Sequence, residues 1–286
     1  MKVVVLGING MLGHMVYMYL IETGKYLVKG LNGHDTRYYN GEVEIYDFFD
    51  CYDPDIVVNC AGMLMEANKP ENRIEAIGIN SIFPNLLSKK ADKNNCKVIH
   101  ISTDCVFDGS CPMSEIPKPM INDSENIRPS DIYGMTKALG EIDKPHCTLR
   151  QSVVGPQLDG RTSGLFHWVL SRQDGEKING YSYHFWNGLT TLQLAKDIEI
   201  VIDCKVEGVV SNGCSNWVNK YYLINKISEK FNKNLIISED RTTYKNMVIN
   251  DDLGNKTDII DQLDELKIWM KNHINLYKHY ERYLND

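Results

Sequence analysis

A tyrosine and a lysine stand four positions apart in the stretch DIYGMTKALGE, Asp131–Glu141. On a helix this spacing places Tyr133 and Lys137 on one face, one turn apart. A free tyrosine has a pKa of about 10, and a nearby positive charge lowers it. The pair therefore predicts a proton donor with the cation that tunes it. The alternative is an ordinary amphipathic helix that carries both residues by chance.

Three polar residues follow Lys97–Ile101, a short apolar stretch that is typical of a buried strand. They are Ser102, Thr103 and Asp104. In open α/β sheets, ligands bind outside the carboxyl ends of the strands. We therefore expect these three residues at a ligand site, although Asp104 could instead form an Asx-type turn.

A glycine-spaced loop, VVVLGINGMLG, lies between the first predicted strand and the first predicted helix. Its first glycine can make a tight turn, its second lets backbone approach a pyrophosphate, and its third allows close helix packing. The helix N-terminus would then hold the phosphates with free amides. The loop is predicted to bind a dinucleotide through Gly7, Asn9, Gly10, Met11, Leu12 and Gly13.

The stretch LNGHDTR after the second predicted strand bears on the choice of nicotinamide cofactor. An acidic residue at the end of that strand would bind the ribose hydroxyls of NAD. Asp35 comes late for this role, whereas Arg37 could meet a 2′-phosphate. We therefore predict NADPH with Arg37 among its ligands and keep NADH as the alternative. A solvated loop fits these two residues equally well.

Apolar runs alternate with helical patterns through the first half of the chain. The predicted strands are Val3–Leu6, Leu27–Leu31, Ile56–Asn59, Lys97–Ile101 and Cys147–Arg150. The predicted helices are Leu12–Glu22, roughly Asn72–Asp92, and Ser130–Asp143. This alternation predicts the α/β class, with a Rossmann-type doubly wound parallel sheet.

The alternation of apolar runs and helical patterns ends at about residue 150, and two domains are therefore expected. Residues 1–150 are predicted to form the NAD(P)-binding domain, and residues 151–286 a smaller substrate-binding cap. The two are interleaved, since a helical segment at approximately 185–205 is predicted to return to the sheet.

Composition excludes several classes for this chain of 286 residues. The net charge of −7 predicts no nucleic-acid partner, and no run approaches the roughly 20 apolar residues of a membrane span. The eight cysteines include no CxxC pair, which favours reduced thiols and a cytoplasmic location. No cluster of metal ligands stands out, so no metal is predicted.

Taken in order, the motifs resemble those of the extended short-chain dehydrogenases/reductases, and within them the dTDP-4-dehydrorhamnose reductase family. The matching segments are GINGMLG, PDIVVNCAG, INSIFPNLL, ISTDCVFDG, YGMTKALGE and LRQSVVG, and the later NGLTTLQLAKDI. The resemblance implies NAD(P)H-dependent reduction of the 4-keto group of a nucleotide-linked 4-keto-6-deoxy sugar, in polysaccharide biosynthesis. It also allows a homodimer, since dimers are common in this family.

The same resemblance implies roles for the candidate residues. Tyr133 would protonate the keto oxygen, Lys137 would lower the pKa of Tyr133 and bind the nicotinamide ribose, and Thr103 would orient the carbonyl. Asp104 would face the sugar. The other implied cofactor contacts are Ser102, Asn80, Cys60, Ala61 and Gly62.

Two positions bear on which reaction and which sugar are expected. Related 4,6-dehydratases carry Asp-Glu after the threonine, whereas Asp104 is followed here by Cys105, which disfavours dehydration. A 4-epimerase and a noncatalytic nucleotide-binding subunit remain alternatives. The rhamnose-pathway enzymes usually carry a tryptophan at Val153. Its absence leaves the sugar and its carrier open, and Trp186 could supply a replacement surface in the substrate site together with Val153.

Overall fold

The computed structural model describes residues 1–32, 38–39, 42–43, 48–110, 127–158, 164–254 and 257–284. The chain forms two compact units. Unit 1 comprises Met1–Asp108, Ser124–Gln151 and Ala195–Ser211, and unit 2 comprises Gly109–Asp123, Ser152–Leu194 and Asn212–Asp286. The predicted cofactor ligand Arg37, and Asp35 beside it, lie outside the described residues.

The helices and strands are numbered in chain order. The strands are β1 Lys2–Leu6, β2 Leu27–Leu31, β3 Tyr38–Tyr39, β4 Glu42–Val43, β5 Ile56–Asn59, β6 Lys97–Ile101, β7 Cys147–Arg150, β8 Val153–Val154, β9 Lys177–Tyr181, β10 His184–Trp186, β11 Leu189–Thr190, β12 Gly208–Ser211, β13 Val218–Asn219, β14 Ile236–Asp240 and β15 Lys245–Met247. The α-helices are α1 Gly13–Glu22, α2 Phe48–Tyr52, α3 Arg73–Ile77, α4 Phe83–Lys93, α5 Ile132–Leu139, α6 Leu165–Ser171, α7 Thr191–Cys204, α8 Lys220–Lys230, α9 Ile259–Asn272 and α10 Glu281–Leu284.

The central sheet of unit 1 has six strands in the order β12-β7-β6-β5-β1-β2, and every pair is parallel. Strand β5 and most of β1 and β6 are buried, as expected for a parallel sheet covered on both faces. The five predicted strands are confirmed in their bounds within one residue. The sixth, Gly208–Ser211, lies beyond the segment at about 185–205 that was predicted to return to the sheet.

The helix predicted near Asn72–Asp92 is not a single regular α-helix. A π-helical turn, Gly78–Ile82, separates α3 from α4. Such wide turns are rare, and many occur at functional sites. Asn80, a predicted cofactor residue, lies in this turn with its side chain fully buried.

Unit 2 contains small sheets and helices. Strand β10 is paired with β13 and β15, while β8 pairs with β11 and β9 pairs with β14. The buried faces of α6, α8 and α9 supply its apolar interior through side chains such as Phe166, Leu223 and Leu266. Among the described residues of both units, no helix has the length and apolarity needed to span a membrane.

Candidate active site

The glycine loop folds tightly against the loop that follows β5. Gly7 has φ +80°, and a Cβ there would lie 2.9 Å from the backbone nitrogen of Ala61. A Cβ on Gly13 would lie 2.1 Å from the carbonyl oxygen of Gly7. Any side chain at either position would therefore collide with backbone, so the glycines are required by this turn and by the close approach of α1.

The start of α1 has the chemistry of a phosphate site. The first turn of an α-helix presents N–H groups that have no partner within the helix, and its dipole favours anions. No acidic side chain lies in the first turn of α1, which begins at Gly13. Asn9 is exposed, and Gly10 and Met11 are partly exposed. The loop is therefore accessible and suited to a dinucleotide pyrophosphate.

The end of β6 brings Thr103 and Asp104 together in a buried turn. The Thr103 hydroxyl donates to Oδ1 of Asp104 at 3.1 Å, and it accepts from the Cys105 backbone N–H at 3.2 Å. This capping bond starts a short 3-10 turn, Asp104–Val106. Cys105 therefore lies in that turn rather than in a strand. Both Thr103 and Asp104 are no more than 5% exposed.

Ser102 faces away from that turn, toward a buried ion pair. Its hydroxyl donates to Oε1 of Glu141 at 2.7 Å. Arg150 donates to the same carboxylate from Nε at 2.9 Å and from Nη2 at 2.7 Å. Both partners of the ion pair have side chains under 8% exposed. The Ser102 hydroxyl is thus engaged in holding the carboxyl ends of β6 and β7 to the end of α5.

Helix α5 is fixed at its start by two polar side chains. Asp131 accepts from the Gly134 backbone N–H at 2.8 Å, as an N-cap aspartate does. Asn68 donates to the Asp131 carboxylate and accepts from the Tyr133 backbone N–H at 3.0 Å. A Cβ on Gly134 would lie 2.1 Å from the carbonyl oxygen of Cys105, so α5 packs directly on the turn that follows β6.

The phenol of Tyr133 is buried beside that turn. Burial raises its pKa, and Cys105 raises it further, while a hydrogen bond with Thr103 acts in the opposite direction. A lysine one turn away was expected to lower this pKa. The net direction is upward because loss of water around the phenolate outweighs the hydrogen bond. Tyr133 is therefore protonated across the neutral range, as a proton donor must be.

The side chain of Lys137 lies against a histidine of β6. Its Nζ lies 3.2 Å from Nε2 of His100, and Nδ1 of His100 lies 3.1 Å from Nδ2 of Asn59. All three side chains are at most 4% exposed. Burial lowers the pKa of Lys137 to about 8, although Glu141 and Cys60 act to raise it. Burial also lowers the pKa of His100 well below its ordinary value, with Lys137 adding to the effect.

The buried side chain of Asn80 makes three hydrogen bonds beside the predicted site. Its amide donates to the Met63 carbonyl and to Thr136 Oγ1, and its Oδ1 accepts from the Met63 backbone N–H at 2.9 Å. These bonds connect the π turn, α5 and the loop after β5. A Cβ on Gly62 in that loop would lie 3.9 Å from Nζ of Lys137. The loop Cys60–Gly62 therefore joins the glycine loop, at Gly7, to the lysine.

The two predicted substrate residues of the second half lie in unit 2. Val153 is half-buried in β8, which pairs with β11. Trp186 is only 1% exposed, and Nζ of Lys220 lies 4.3 Å from the centre of its ring. A ring so enclosed supports the fold of unit 2. This arrangement does not favour stacking of the Trp186 ring on a substrate.

The residues missed at the sequence level are polar side chains within apolar strands. Asn59 and His100 occupy paired positions on β5 and β6, and both are completely buried. Their signal was present in IVVN and KVIHI, where one polar residue interrupts an apolar run. A buried polar side chain needs a partner, and the partner here is the lysine of α5.

Within the described ranges, no group of three or more His, Cys, Asp and Glu side chains is placed to hold a metal ion.

Fold and site together define a Rossmann-type protein with a glycine loop after β1, a threonine at the end of β6, and a helix that carries Tyr133 and Lys137. A family profile described as RmlD substrate binding domain matches residues 1–155. The chain belongs to that family.

Curated relatives support the same family. A dTDP-4-dehydrorhamnose reductase of Aggregatibacter actinomycetemcomitans is 25% identical over 140 residues, which is 49% of this chain and 45% of that protein. A probable low-salt glycan biosynthesis reductase, Agl14 of Haloferax volcanii, is 28% identical over 145 residues, or 48% of this chain and 46% of that protein. The chain thus spans about half the length of the curated relatives it matches.

Solved structures share the fold over nearly the whole chain. A dTDP-4-dehydrorhamnose reductase from Clostridium acetobutylicum has a TM-score of 0.77 at 20% identity, covering 95% of this chain and 100% of that one. The dTDP-4-dehydrorhamnose reductase from Bacillus anthracis, in complex with NADP, has a TM-score of 0.76 at 17% identity, covering 94% and 99%.

Proposed function

We propose that this protein is an NADPH-dependent reductase that acts on the 4-keto group of a nucleotide-linked 4-keto-6-deoxy sugar. The observation that carries the proposal is that Tyr133 bonds to Thr103 at the end of β6 and shares helix α5 with Lys137. Lys137 in turn lies near Gly62, in the loop that packs against Gly7. Membership of the RmlD family and the names of the relatives support the substrate class.

The residues present fit a dinucleotide cofactor. The Gly7 turn, the accessible helix start and the exposed Gly62 form a continuous backbone surface without competing carboxylates in the first turn of α1. The proposed cofactor contacts are Gly7, Asn9, Gly10, Met11, Leu12, Gly13, Cys60, Ala61 and Gly62. Ser102 and Asn80 would act indirectly, since their polar groups already serve internal bonds. NADPH is proposed over NADH because Arg37 follows the second strand.

When bound, the reduced nicotinamide supplies a hydride to the carbonyl carbon. Tyr133 then gives its phenolic proton to the carbonyl oxygen, so that the ketone becomes an alcohol. Thr103 bonds to Tyr133, and its hydroxyl donates its one proton to Asp104 Oδ1 in this structure. To orient the carbonyl oxygen, Thr103 would turn this proton from Asp104 to the substrate. Lys137 stabilises the phenolate that forms, because a positive charge in a buried site acts over a short distance at low dielectric.

Substrate selection is assigned to Asp104 at the end of β6 and, in unit 2, to the strand that carries Val153. Valine leaves more room than the tryptophan usual at this position in the rhamnose-pathway enzymes. We therefore propose a 4-keto sugar whose nucleotide carrier is dTDP or UDP. Trp186 would support this unit through packing.

The test is a cofactor-oxidation screen against dTDP- and UDP-linked 4-keto-6-deoxy sugars with NADPH and with NADH. We expect turnover with at least one sugar, and at least a hundredfold loss of kcat in Tyr133→Phe with cofactor binding retained. The matched control is Tyr222→Phe, which alters an exposed tyrosine of α8 and should leave turnover unchanged.

Two outcomes would overturn the reductase. Conversion of a sugar nucleotide without net oxidation of the cofactor would identify a 4-epimerase instead. Tight binding of NADPH with no turnover of any 4-keto sugar would identify a noncatalytic nucleotide-binding subunit.

A further inference from the structure

A buried row of polar groups runs from the loop after β5 to Lys137. The Ala61 backbone N–H donates to Oδ1 of Asn59 at 3.2 Å. Asn59 Nδ2 faces Nδ1 of His100, and Nε2 of His100 faces Nζ of Lys137. Asn59 and His100 are completely buried, so water cannot complete a bond that either of these two side chains leaves unmade.

The direction of each hydrogen bond follows from the one group that cannot change. A backbone N–H only donates, so the atom of Asn59 that meets Ala61 must be the amide oxygen. The amide NH2 of Asn59 then points at Nδ1 of His100, which must accept with its lone pair. A neutral imidazole has one proton, and that proton is therefore on Nε2. The imidazole thus presents an N–H to Lys137.

A lysine can accept this bond only as a neutral amine, since an ammonium has no lone pair. If Lys137 is charged, two N–H groups face each other across 3.2 Å. Moving the proton of His100 to Nδ1 would relieve this clash, but the same proton would then oppose the NH2 group of Asn59. Turning the Asn59 amide would solve that, at the expense of its bond from Ala61. Every arrangement with a charged lysine therefore leaves one bond unmade.

We propose that Asn59 and His100 are positioning residues that set the protonation of Lys137, holding it ready to give up its proton near neutral pH. The inference deepens the proposed reduction, because it concerns the lysine of that site. Each turnover removes a proton from Tyr133, and we propose that Lys137, one turn along the same helix, is the cation that replaces it. The resulting amine is then stabilised by the N–H of His100 until water returns the proton after product release.

Other charged groups around Lys137 do not account for this effect. On its own helix, Tyr133 is neutral in this range, and Glu141 just beyond the helix favours the charged lysine. Glu141 is itself paired with Arg150 of β7, and Cys60 after β5 is a thiol whose pKa burial raises to about 12. What favours the amine is burial together with the imidazole on β6.

The test is NMR of the cofactor-free labelled protein, which needs neither sugar nor turnover. Long-range proton–nitrogen spectra report which ring nitrogen of His100 carries the proton, with His100→Gln assigning the signals. At pH 9 we expect the proton on Nε2. A proton on Nδ1 would overturn the proposal, and this measurement requires no variant to stay active.

The second measurement is the titration of the Lys137 side chain, assigned with Lys137→Met. We expect a midpoint of about 8 in the unaltered protein. His100→Gln should raise it by about one pH unit, because a glutamine can turn its oxygen to the ammonium. The matched control is His146→Gln, a buried histidine that bonds to Val98 N–H, which should leave the midpoint unchanged.

Asn59→Asp tests whether the Lys137 midpoint depends on the His100 tautomer or only on an added negative charge. A carboxylate can accept from both Ala61 and His100, so it moves the imidazole proton to Nδ1 and raises the Lys137 midpoint through a bare Nε2. In the double variant with His100→Gln the added effect of Asn59→Asp should fall by more than half. Equal midpoints in the unaltered protein and His100→Gln, or an undiminished effect in the double variant, would refute the proposal. Such a result would refute the role of Asn59 and His100 without refuting the reductase activity. Conversely, a failure to turn over any sugar would refute the reductase without changing the NMR result.

Discussion

The guanidinium of Arg150 holds the carboxylate of Glu141 with two donors, and both side chains are buried at the carboxyl end of the sheet. The same carboxylate accepts from Ser102 and raises the pKa of Lys137. One ion pair therefore connects the ends of two strands with the helix that carries Tyr133, the proposed proton donor.

Replacing Glu141 should lower both the stability of the protein and the pKa of Lys137. In Glu141→Gln the buried guanidinium loses its counter-charge, and we expect unfolding to become easier by about 3 kcal/mol. The Lys137 pKa should fall below its present value, since Glu141 raises it. Urea unfolding and the lysine titration measure the two effects. Unchanged stability would show that the pair is solvated in solution.

Adding one methyl group to the glycine loop should weaken cofactor binding. In Gly7→Ala the new Cβ meets Ala61 backbone at a residue with φ +80°, so we expect a loss of stability of about 2–4 kcal/mol and at least tenfold weaker NADPH binding. Fluorescence titration measures the affinity. The control is Gly24→Ala, where φ is +66° but no atom lies within 4 Å of the new Cβ. Equal affinity in the two variants would contradict the crowded-loop explanation.

Removing the Asn80 amide should damage the framework more than cofactor affinity. Asn80→Ala removes the side-chain partner of the Met63 N–H and carbonyl, and one of the two bonds of Thr136 Oγ1, with an expected cost of about 2–4 kcal/mol. Asn85→Ala, at an exposed asparagine of α4, is the control and should cost under about 1 kcal/mol. Thermal unfolding distinguishes the two. If Asn80→Ala keeps its stability but loses NADPH, then Asn80 binds the cofactor directly.

The buried lysine should reduce stability in a pH-dependent way. Its pKa is about 8 in the folded chain against an ordinary 10.5, so the unfolded chain binds more protons between these values. The penalty is therefore fully present below pH 8 and is lost as the pH rises through 10.5. Lys137→Met should stabilise the protein by about 3 kcal/mol at pH 7, and the gain should vanish near pH 11.

Urea unfolding between pH 6 and pH 11 measures this difference, with Lys89→Met at an exposed position of α4 as the control. Lys89→Met should show no such dependence. A Lys137→Met gain that stays constant over the whole range would mean that packing, not charge, separates the variant from the original protein.

The sheet could be predicted from the sequence because strands that are buried on both faces of a parallel sheet consist of continuous runs of apolar residues. Tyr133, Lys137 and Thr103 could be proposed as site residues because their order along the chain is specific. The direction in which Lys137 points could not be predicted, since it depends on a histidine 37 positions away that is opposite it only after β5 and β6 pair. The π turn at Gly78–Ile82 was missed because its residues have ordinary helical patterning.

The ends of helix α5 have a practical consequence. A Cβ on Gly134 would strike the carbonyl of Cys105, and one on Gly140 would lie 1.9 Å from the carbonyl of Asn80. At both ends of the helix, its backbone therefore packs directly against the backbone of a neighbouring segment, with no side chain between them. A directed-evolution library for new sugars should hold these two glycines constant and place its diversity in unit 2, around Val153. Such a library would vary the strand proposed to recognise the sugar and leave the packing of α5 unchanged.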